Sequence, residues 1–204
     1  MEKYLPVILM LAGIVVVLLA LAYILSGRIG RNDPVQKAGL DAELVGTRVI
    51  KKALHADDTI LTNIEISYDG KPSEMDNVIV NQYGVFIIEV KYYKGRLKGR
   101  EDDYEWDKYN TTEANNTYVK KVKNPVVQVK RQIYILAGFL KEHNLQVWVR
   151  GYAFLLDNNS PVDSEYILNS SSAIEKAIHT QDRKLLDRKT VNAIIELLSK
   201  HRRV

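Results

Sequence analysis

Apolar and polar positions divide the chain into an N-terminal apolar run and a longer segment of mixed character. Residues 5–25 carry no charge and are nearly all apolar. As a helix they would extend over about 31 Å, which is enough to cross a membrane. A secretory signal peptide is the alternative, but its apolar core is usually only about 7–15 residues long, and no Ala-x-Ala site follows this run. We therefore predict an uncleaved transmembrane anchor over residues 1–27, then a juxtamembrane linker over 28–36.

The charges that flank the apolar run predict its orientation. Arg28, Arg31 and Lys37 follow the run, whereas Lys3 alone precedes it. Basic residues favour the cytoplasmic side of a membrane. The expected arrangement is a single-pass membrane protein with its N-terminus outside and its C-terminal domain in the cytoplasm.

A helix and three strands are predicted after the linker. Asp33 and Pro34 combine a cap residue with a first-turn proline, and apolar residues then recur at helical spacing to about Leu54. The period next changes to that of strands, with turn signals between them, over residues 57–68, 74–80 and 85–91. The third strand is apolar on both faces at first, as expected of a central strand.

The second half of the chain predicts further elements of both kinds. A small hairpin is expected over residues 96–99 and 104–106, followed by a polar loop at 110–116. Asn124 and Pro125 begin a second main helix that ends near Asn144. A strand, a loop and a last amphipathic helix are predicted at residues 147–156, 157–164 and 190–200.

Three details complete this outline. Ser172 and Glu175 have the spacing of a capping box for a short helix. Trp106 and Trp148 are predicted to pack in the core or against the hairpin. The basic pair at 202–203 has the character of a frayed end.

The order of elements predicts a mixed α/β fold. A central mixed sheet would be flanked by helices in the order α-β-β-β-α-β, because helices on both faces bury a strand such as the third. We expect the domain to cover residues 37–157 and a C-terminal helical extension, packed on it, to cover 158–204. No Gly-x-Gly-x-x-Gly or Walker sequence is present, which argues against a dinucleotide or P-loop site.

The composition of the chain excludes several classes of functional site. The 204 residues include no cysteine, which excludes disulfide scaffolds, cysteine-ligated zinc and cysteine nucleophiles. The net charge of +4 weakly favours an anionic partner, either nucleic acid or a lipid surface.

The informative constellation is Asp76 together with Glu89, Val90 and Lys91. Side chains alternate along a strand, so Glu89 and Lys91 share a face at the end of a buried strand while Val90 points into the core. If the turn at 81–84 pairs the second and third strands, Asp76 lies beside them. Two carboxylates can hold Mg²⁺ or Mn²⁺, and the Val90 carbonyl can be a further ligand. Lys91 can either orient the attacking water or neutralise developing charge. The alternative is an exposed ion pair worth about 0–1 kcal/mol.

These residues and their surroundings resemble a known family. Asp76 and the Glu89-Val90-Lys91 run resemble the PD-(D/E)xK nuclease signature. The wider pattern is similar to the NERD, or nuclease-related, domain, and the residues that carry this resemblance are Glu43, the segments 75–80 and 83–91, Gly95, Trp106, Asn124, Pro125, Val126 and Gln128. Ala42 and Asn77 depart from the family, which often has Gly and His there.

The resemblance implies a restriction-endonuclease-like core and a Mg²⁺-dependent nuclease that cleaves DNA or RNA, with DNA favoured. By position, it implies that Asp76 and Glu89 bind metal and that Lys91 is catalytic. It also implies that Glu43 and Gln128 support the site from the two flanking helices. The alternative is a catalytically inactive domain that binds nucleic acid or a protein at the membrane.

A basic and aromatic stretch follows the motif. It is a candidate nucleic-acid surface, formed by Tyr92, Tyr93, Lys94, Arg96 and Lys98. Two other interpretations stay open, namely a basic hairpin neutralised by the acidic residues at 101–103 and a contact with anionic lipid.

Overall fold

The computed structural model describes residues 34–111 and 116–203. The chain divides into two units, Met1–Asp41 and Ala42–Val204. The predicted transmembrane anchor lies outside the described residues. Among the helices of the described ranges, none combines the length and the apolar character needed to cross a membrane.

The elements follow the predicted order, with additions. The helices are α1 (Pro34–Lys51), α2 (Pro125–Glu142), α3 (Ser171–His179) and α4 (Arg188–Ser199). The strands are β1 (Thr59–Tyr68), β2 (Lys71–Asn81), β3 (Gly84–Lys91), β4 (Arg96–Lys98), β5 (Glu105–Thr111), β6 (Thr117–Lys123), β7 (Val149–Leu155) and β8 (Ile167–Leu168). The first helix ends at Lys51 instead of Leu54, because the backbone changes there to short turn hydrogen bonds.

A five-stranded mixed sheet forms the centre of the second unit, in the order β1-β2-β3-β7-β8. The first three strands are antiparallel neighbours, whereas β3, β7 and β8 run parallel. Asp69 and Gly70 form the two-residue turn between β1 and β2, with φ angles of 53° and 67°. Positive φ at both positions is the requirement of a type I′ turn, which explains the Asp-Gly sequence. The predicted mixed α/β architecture is confirmed.

Helices cover both faces of this sheet. On one face, residues of α1 and α3 form a single apolar cluster with the strands, including Ile50, Ile174, Ile79, Phe86 and Ile88. On the other face, α2 and α4 form the second cluster, including Leu136, Leu140, Ile194, Leu198, Val80 and Ile87. Successive residues of β3 therefore enter opposite cores, which explains why this strand is apolar on both faces.

A second sheet of three strands, in the order β4-β5-β6, follows β3 along the chain. Its inner face buries Leu97 and Trp106 against Val126 and Val129 of α2. The predicted hairpin and the packing role of Trp106 are confirmed, but β6 was not predicted. The packing role predicted for Trp148 is wrong, because its side chain is 53% exposed and lies under the Arg183 guanidinium.

Two further predictions are wrong, one on the start of α3 and one on the C-terminal segment. The α3 cap is Ser170, whose Oγ accepts the Ala173 N–H at 3.1 Å, because Ser170 has the extended backbone of a cap and Ser172 already lies inside the helix. The C-terminal segment is not frayed. The Glu65 N–H donates to the His201 carbonyl and the Arg203 N–H donates to the Asn63 carbonyl. The edge strand β1 offers these open backbone groups.

Candidate active site

Two acidic residues meet where the pairing of β2 with β3 ends. The last pair of this antiparallel ladder is Asn77 with Ile88. Asp76 precedes Asn77 and Glu89 follows Ile88, so each lies one residue beyond the ladder on its own strand. The turn at 81–84 thus brings Asp76 beside the end of β3.

A break in strand alternation determines where Asp76 lies. In β2, Met75 and Val78 enter the same core cluster although they are three positions apart, and in β1 Leu61 and Ile64 do the same. A regular strand would put such residues on opposite faces. Asp76 lies within the break of β2. The break of β1 contains Asn63, whose φ of 55° is left-handed.

The Asp76 carboxylate is directed at the backbone of β3. Its Oδ2 accepts the Val90 N–H at 3.0 Å. The N–H and C=O of a strand residue point to the same edge of the strand, so the Val90 carbonyl also faces β2. Asp76 and the Val90 carbonyl are therefore on the same side of β3, beyond the end of the ladder.

Glu89 is a buried carboxylate that accepts several hydrogen bonds. Only 2% of the residue is exposed. Its Oε1 accepts from Lys91 Nζ and from Gln128 Nε2, each at 2.5 Å, and its Oε2 accepts from Gln132 Nε2 at 2.7 Å. The side chain is thus fixed by its own strand and by the first two turns of α2.

Gln132 belongs to this site and was missed by the sequence analysis. Its Nε2 also donates to the Glu74 carbonyl at 3.0 Å, whereas its buried Oε1 has no hydrogen-bond partner among the described residues. The available signal was its spacing, since Gln128 and Gln132 at i and i+4 lie on the same helix face.

Glu43 approaches the same charges from α1. Gly46, one turn later, lies so close to β3 that an added Cβ would come within 2.4 Å of Val90 Cγ1. This close approach brings the half-buried Glu43 into the field of the site. The pKa of Glu43 is raised above its ordinary value, mainly by burial. The charge of Lys91 opposes this shift, whereas the charges of Glu89 and Glu74 add to it.

The neighbouring carboxylates of Asp76 and Glu89 repel each other in this site. Burial, followed by the negative charge of Glu89, raises the pKa of Asp76 from its ordinary 3.8 to about 7. Burial alone would lower the pKa of Lys91, but the charge and hydrogen bond of Glu89 outweigh it and raise that pKa. Lys91 therefore remains charged, and one further positive charge would relieve the repulsion between the carboxylates.

A cleft of about 480 Å³ adjoins Gln128 and Gln132, the two residues that hold Glu89. One side is the start of β2, over residues 72–74. Its other lining residues are Tyr104, Lys123, Asn124, Val127 and Arg131. The cleft therefore leads from the surface to the side chains that surround Glu89.

The predicted nucleic-acid surface is not one continuous ridge. Arg96 lies over the Tyr109 ring at 5.3 Å and shares a cleft with Lys94, whereas Lys98 lines a different cleft. Tyr92 is exposed. The Tyr93 hydroxyl donates to the Lys123 carbonyl at 3.0 Å and is thus used within the protein.

The donor set fits a hard divalent cation. Within the described ranges, no three His, Asp or Glu side chains are close enough to hold a metal ion by themselves. Two carboxylates, the Val90 carbonyl and the unpartnered Gln132 Oε1 are nevertheless oxygen donors, and Mg²⁺ usually keeps several waters. Asp76 Oδ1 and the second lone pair of Glu89 Oε2 remain as acceptors.

Comparison with known protein families identifies the family of the chain. The family model of the nuclease-related domain, NERD, matches residues 38–156, which is more than half of the chain. The matched range contains every acidic, lysine and glutamine residue of the site, and it ends before α3 and α4. No curated protein and no solved structure matches the chain.

Proposed function

We propose that the chain, which belongs to the nuclease-related domain family, is a divalent-metal-dependent nuclease that hydrolyses phosphodiester bonds of DNA or RNA. Family membership makes a nuclease-related function the starting point. The observation that carries the proposal is the meeting of Asp76, Glu89 and Lys91 at one end of β3, beside a cleft open to solvent.

In this proposal each residue has a separate role. Asp76, Glu89 and the Val90 carbonyl hold Mg²⁺ or Mn²⁺, because all three offer oxygen atoms near the end of β3. Lys91 is the catalytic cation. Gln128 and Glu43 are supporting residues, of which Gln128 fixes the Glu89 carboxylate directly.

The chemistry follows from these positions. A bound divalent cation polarises the phosphate and lowers the pKa of a bound water. The Lys91 ammonium, charged and hydrogen-bonded to Glu89, stabilises the negative charge that develops on the phosphate oxygens. The Gln128 and Gln132 amides hold the Glu89 carboxylate through hydrogen bonds, which orients its oxygen atoms before a metal ion and substrate bind.

A cleavage assay on the purified full chain tests the proposal. Labelled single- and double-stranded DNA and RNA are incubated with Mg²⁺, Mn²⁺ or chelator. We expect cleavage by the wild-type chain that requires metal and falls at least about 100-fold in Glu89→Ala and in Lys91→Ala. Glu65→Gln, which changes an exposed carboxylate of β1, should leave the rate unchanged.

Melting curves of the same variants show whether each one is folded. Cleavage that is insensitive to chelator would contradict metal dependence, and cleavage retained by folded Lys91→Ala would contradict the role of that residue. Absence of cleavage from every substrate, in every metal, would overturn the proposed activity.

One observation favours a second function, that of an inactive binding module. Glu89 already accepts three hydrogen bonds, and a buried carboxylate satisfied in this way is also typical of a structural ion-pair network. This alternative predicts nucleic-acid or protein binding by the wild-type chain without cleavage.

We further propose that the domain is held at the cytoplasmic side of a membrane by residues 5–25. The support is the uncharged apolar sequence and the basic residues that follow it. Cell fractionation should place the full chain in the membrane fraction, resistant to carbonate extraction. Deletion of residues 1–27 should release it, and an unchanged membrane fraction after this deletion would contradict the proposal.

A further inference from the structure

The cleft beside Gln128 and Gln132 carries two cations without an acidic partner. Lys123 ends β6, and Arg131 lies in the second turn of α2. Neither side chain forms an ion pair within the described part of the chain, and Arg131 instead donates to the Pro72 carbonyl at 2.9 Å. The acidic residue of this cleft, Glu74, lies 3.7 Å from the Arg203 guanidinium, which offsets its charge.

An exposed aromatic ring lies at the same cleft. Tyr104 is 71% exposed, and its carbonyl accepts the Asn124 N–H at 3.1 Å. Exposed aromatic rings beside a basic groove are the means by which proteins stack bases of single strands. Lys123, Arg131 and Tyr104 therefore combine phosphate-binding charge with a stacking surface.

The size of the cleft limits what can enter it. A volume of about 480 Å³ is that of a site for a small molecule, so it suits one or two nucleotides. One wall is the start of β2, and the turn that carries Tyr104 lies at the same cleft. Gln128 and Gln132 line the cleft and hold the Glu89 carboxylate, so a strand bound there lies next to the side chains that surround Glu89.

From these observations we infer that the cleft binds a single-stranded nucleic acid, with Lys123 and Arg131 on backbone phosphates and Tyr104 stacked on a base. The strand would enter along α2 and present a phosphodiester to the end of β3. The inference rests on the proposed function for the reaction, but it concerns binding and can be tested without cleavage. The predicted surface on β4, with Arg96 and Lys98, is not part of this cleft.

Binding is measured by fluorescence anisotropy on the full chain in detergent micelles, with chelator present to prevent cleavage. The probes are a labelled single-stranded DNA 12-mer, the RNA of the same sequence and the matching DNA duplex. We expect both single strands to bind more tightly than the duplex. Tyr104→Ala and the double variant Lys123→Ala/Arg131→Ala should each raise Kd about tenfold or more, whereas Tyr104→Phe should restore stacking.

The salt dependence and a matched control separate phosphate binding from general charge. For each phosphate that a variant no longer neutralises, the slope of log K against log salt should become shallower by about 0.7. Lys141→Ala removes one positive charge from the far end of α2 and should change neither Kd nor the slope. Arg131→Lys keeps the charge and controls for removal of the hydrogen bond to the Pro72 carbonyl.

The outcomes also separate this inference from the proposed activity. Variants that weaken single-strand binding while the wild-type chain cleaves nothing would uphold the inference and overturn the nuclease. Wild-type cleavage with unaltered binding in both Tyr104→Ala and Lys123→Ala/Arg131→Ala would overturn the inference and uphold the nuclease. Tighter binding of the duplex, or equal weakening by Lys141→Ala, would overturn the inference.

Discussion

Two nearly buried aspartates show the difference between a structural and a reactive carboxylate. Asp58, whose side chain is 3% exposed, accepts hydrogen bonds from the His55 backbone at 2.6 Å, Asn81 Nδ2 at 2.8 Å and His179 Nε2 at 2.9 Å. Asp76 accepts the Val90 N–H as its one hydrogen bond from the described residues, and it lies close to the charge of Glu89. The first carboxylate joins parts of the fold, whereas the second is held beside a like charge.

The two carboxylates differ in how much of their negative charge the protein itself offsets. At Asp58 the polar partners come from β2, α3 and the residue stretch before β1, so the carboxylate is satisfied by the protein itself. Asp76, in contrast, is repelled by the negative charge of Glu89, and a bound cation would relieve this repulsion. Unrelieved charge in a buried position is a common property of functional sites.

The largest expected effect on stability is at the structural aspartate. Asp58→Ala removes a buried acceptor and leaves His179 and Asn81 without it, so the free energy of unfolding should fall by about 3 kcal/mol. Denaturant titration measures this change. The neighbouring exposed residue supplies the control, since Asp57→Ala should change stability by less than about 0.5 kcal/mol. Equal losses of stability in Asp58→Ala and Asp57→Ala would contradict the structural role of Asp58.

Removal of the Asp76 charge should instead raise the stability of the protein. Asp76→Asn should stabilise the protein by about 2 kcal/mol at pH 8 in chelator, because the amide keeps an acceptor for the Val90 N–H and removes the repelled charge. The pKa of Asp76 in the folded protein, about 7, lies above its ordinary 3.8. Ionisation therefore costs stability, progressively as pH rises between these values and in full above pH 7.

Denaturant titrations of Asp76→Asn at several pH values measure this gain, which should vanish near pH 4. Glu65→Gln, with an exposed carboxylate, should show no such gain at either pH. A variant that is less stable than the wild-type chain at pH 8 would show that the Asp76 charge supports the fold, as that of Asp58 does.

The smallest effects distinguish the two glutamines that hold Glu89. Gln132→Ala should cost about 1.5 kcal/mol, because the buried amide donates to both Glu89 and the Glu74 carbonyl. Gln128→Ala should cost about 0.5 kcal/mol, since this residue is only partly buried and Glu89 keeps its other donors. Denaturant titration gives both values. The reverse order would mean that Gln128, and not Gln132, holds the buried carboxylate.

The sequence predicted the central sheet and its turns because each signal is local. Asp69-Gly70 specifies its own turn, and the apolar character of β3 reflects its position between two helix layers. The same local signals placed Asp76 near Glu89 and Lys91. The role of each of these residues remains a prediction until it is measured.

The features that the sequence did not predict depend on contacts between residues far apart in the chain. Strand β6 has few apolar residues and exists through its pairing with β5. The break in alternation at Asn63 and Asp76 involves two strands at once, and no period in one strand reveals it. The C-terminal segment pairs with an edge strand far away in sequence, so its basic residues alone suggested a frayed end.

Calorimetric titration of Mn²⁺ into the full chain at pH 8 tests the metal site most directly. We expect Mn²⁺ to bind the wild-type chain and Glu65→Gln but not Asp76→Asn or Glu89→Gln, with all four proteins folded by their melting curves. Equal affinity of Mn²⁺ for the wild-type chain and for Asp76→Asn would contradict a metal site between the two carboxylates, because the cation would then bind elsewhere.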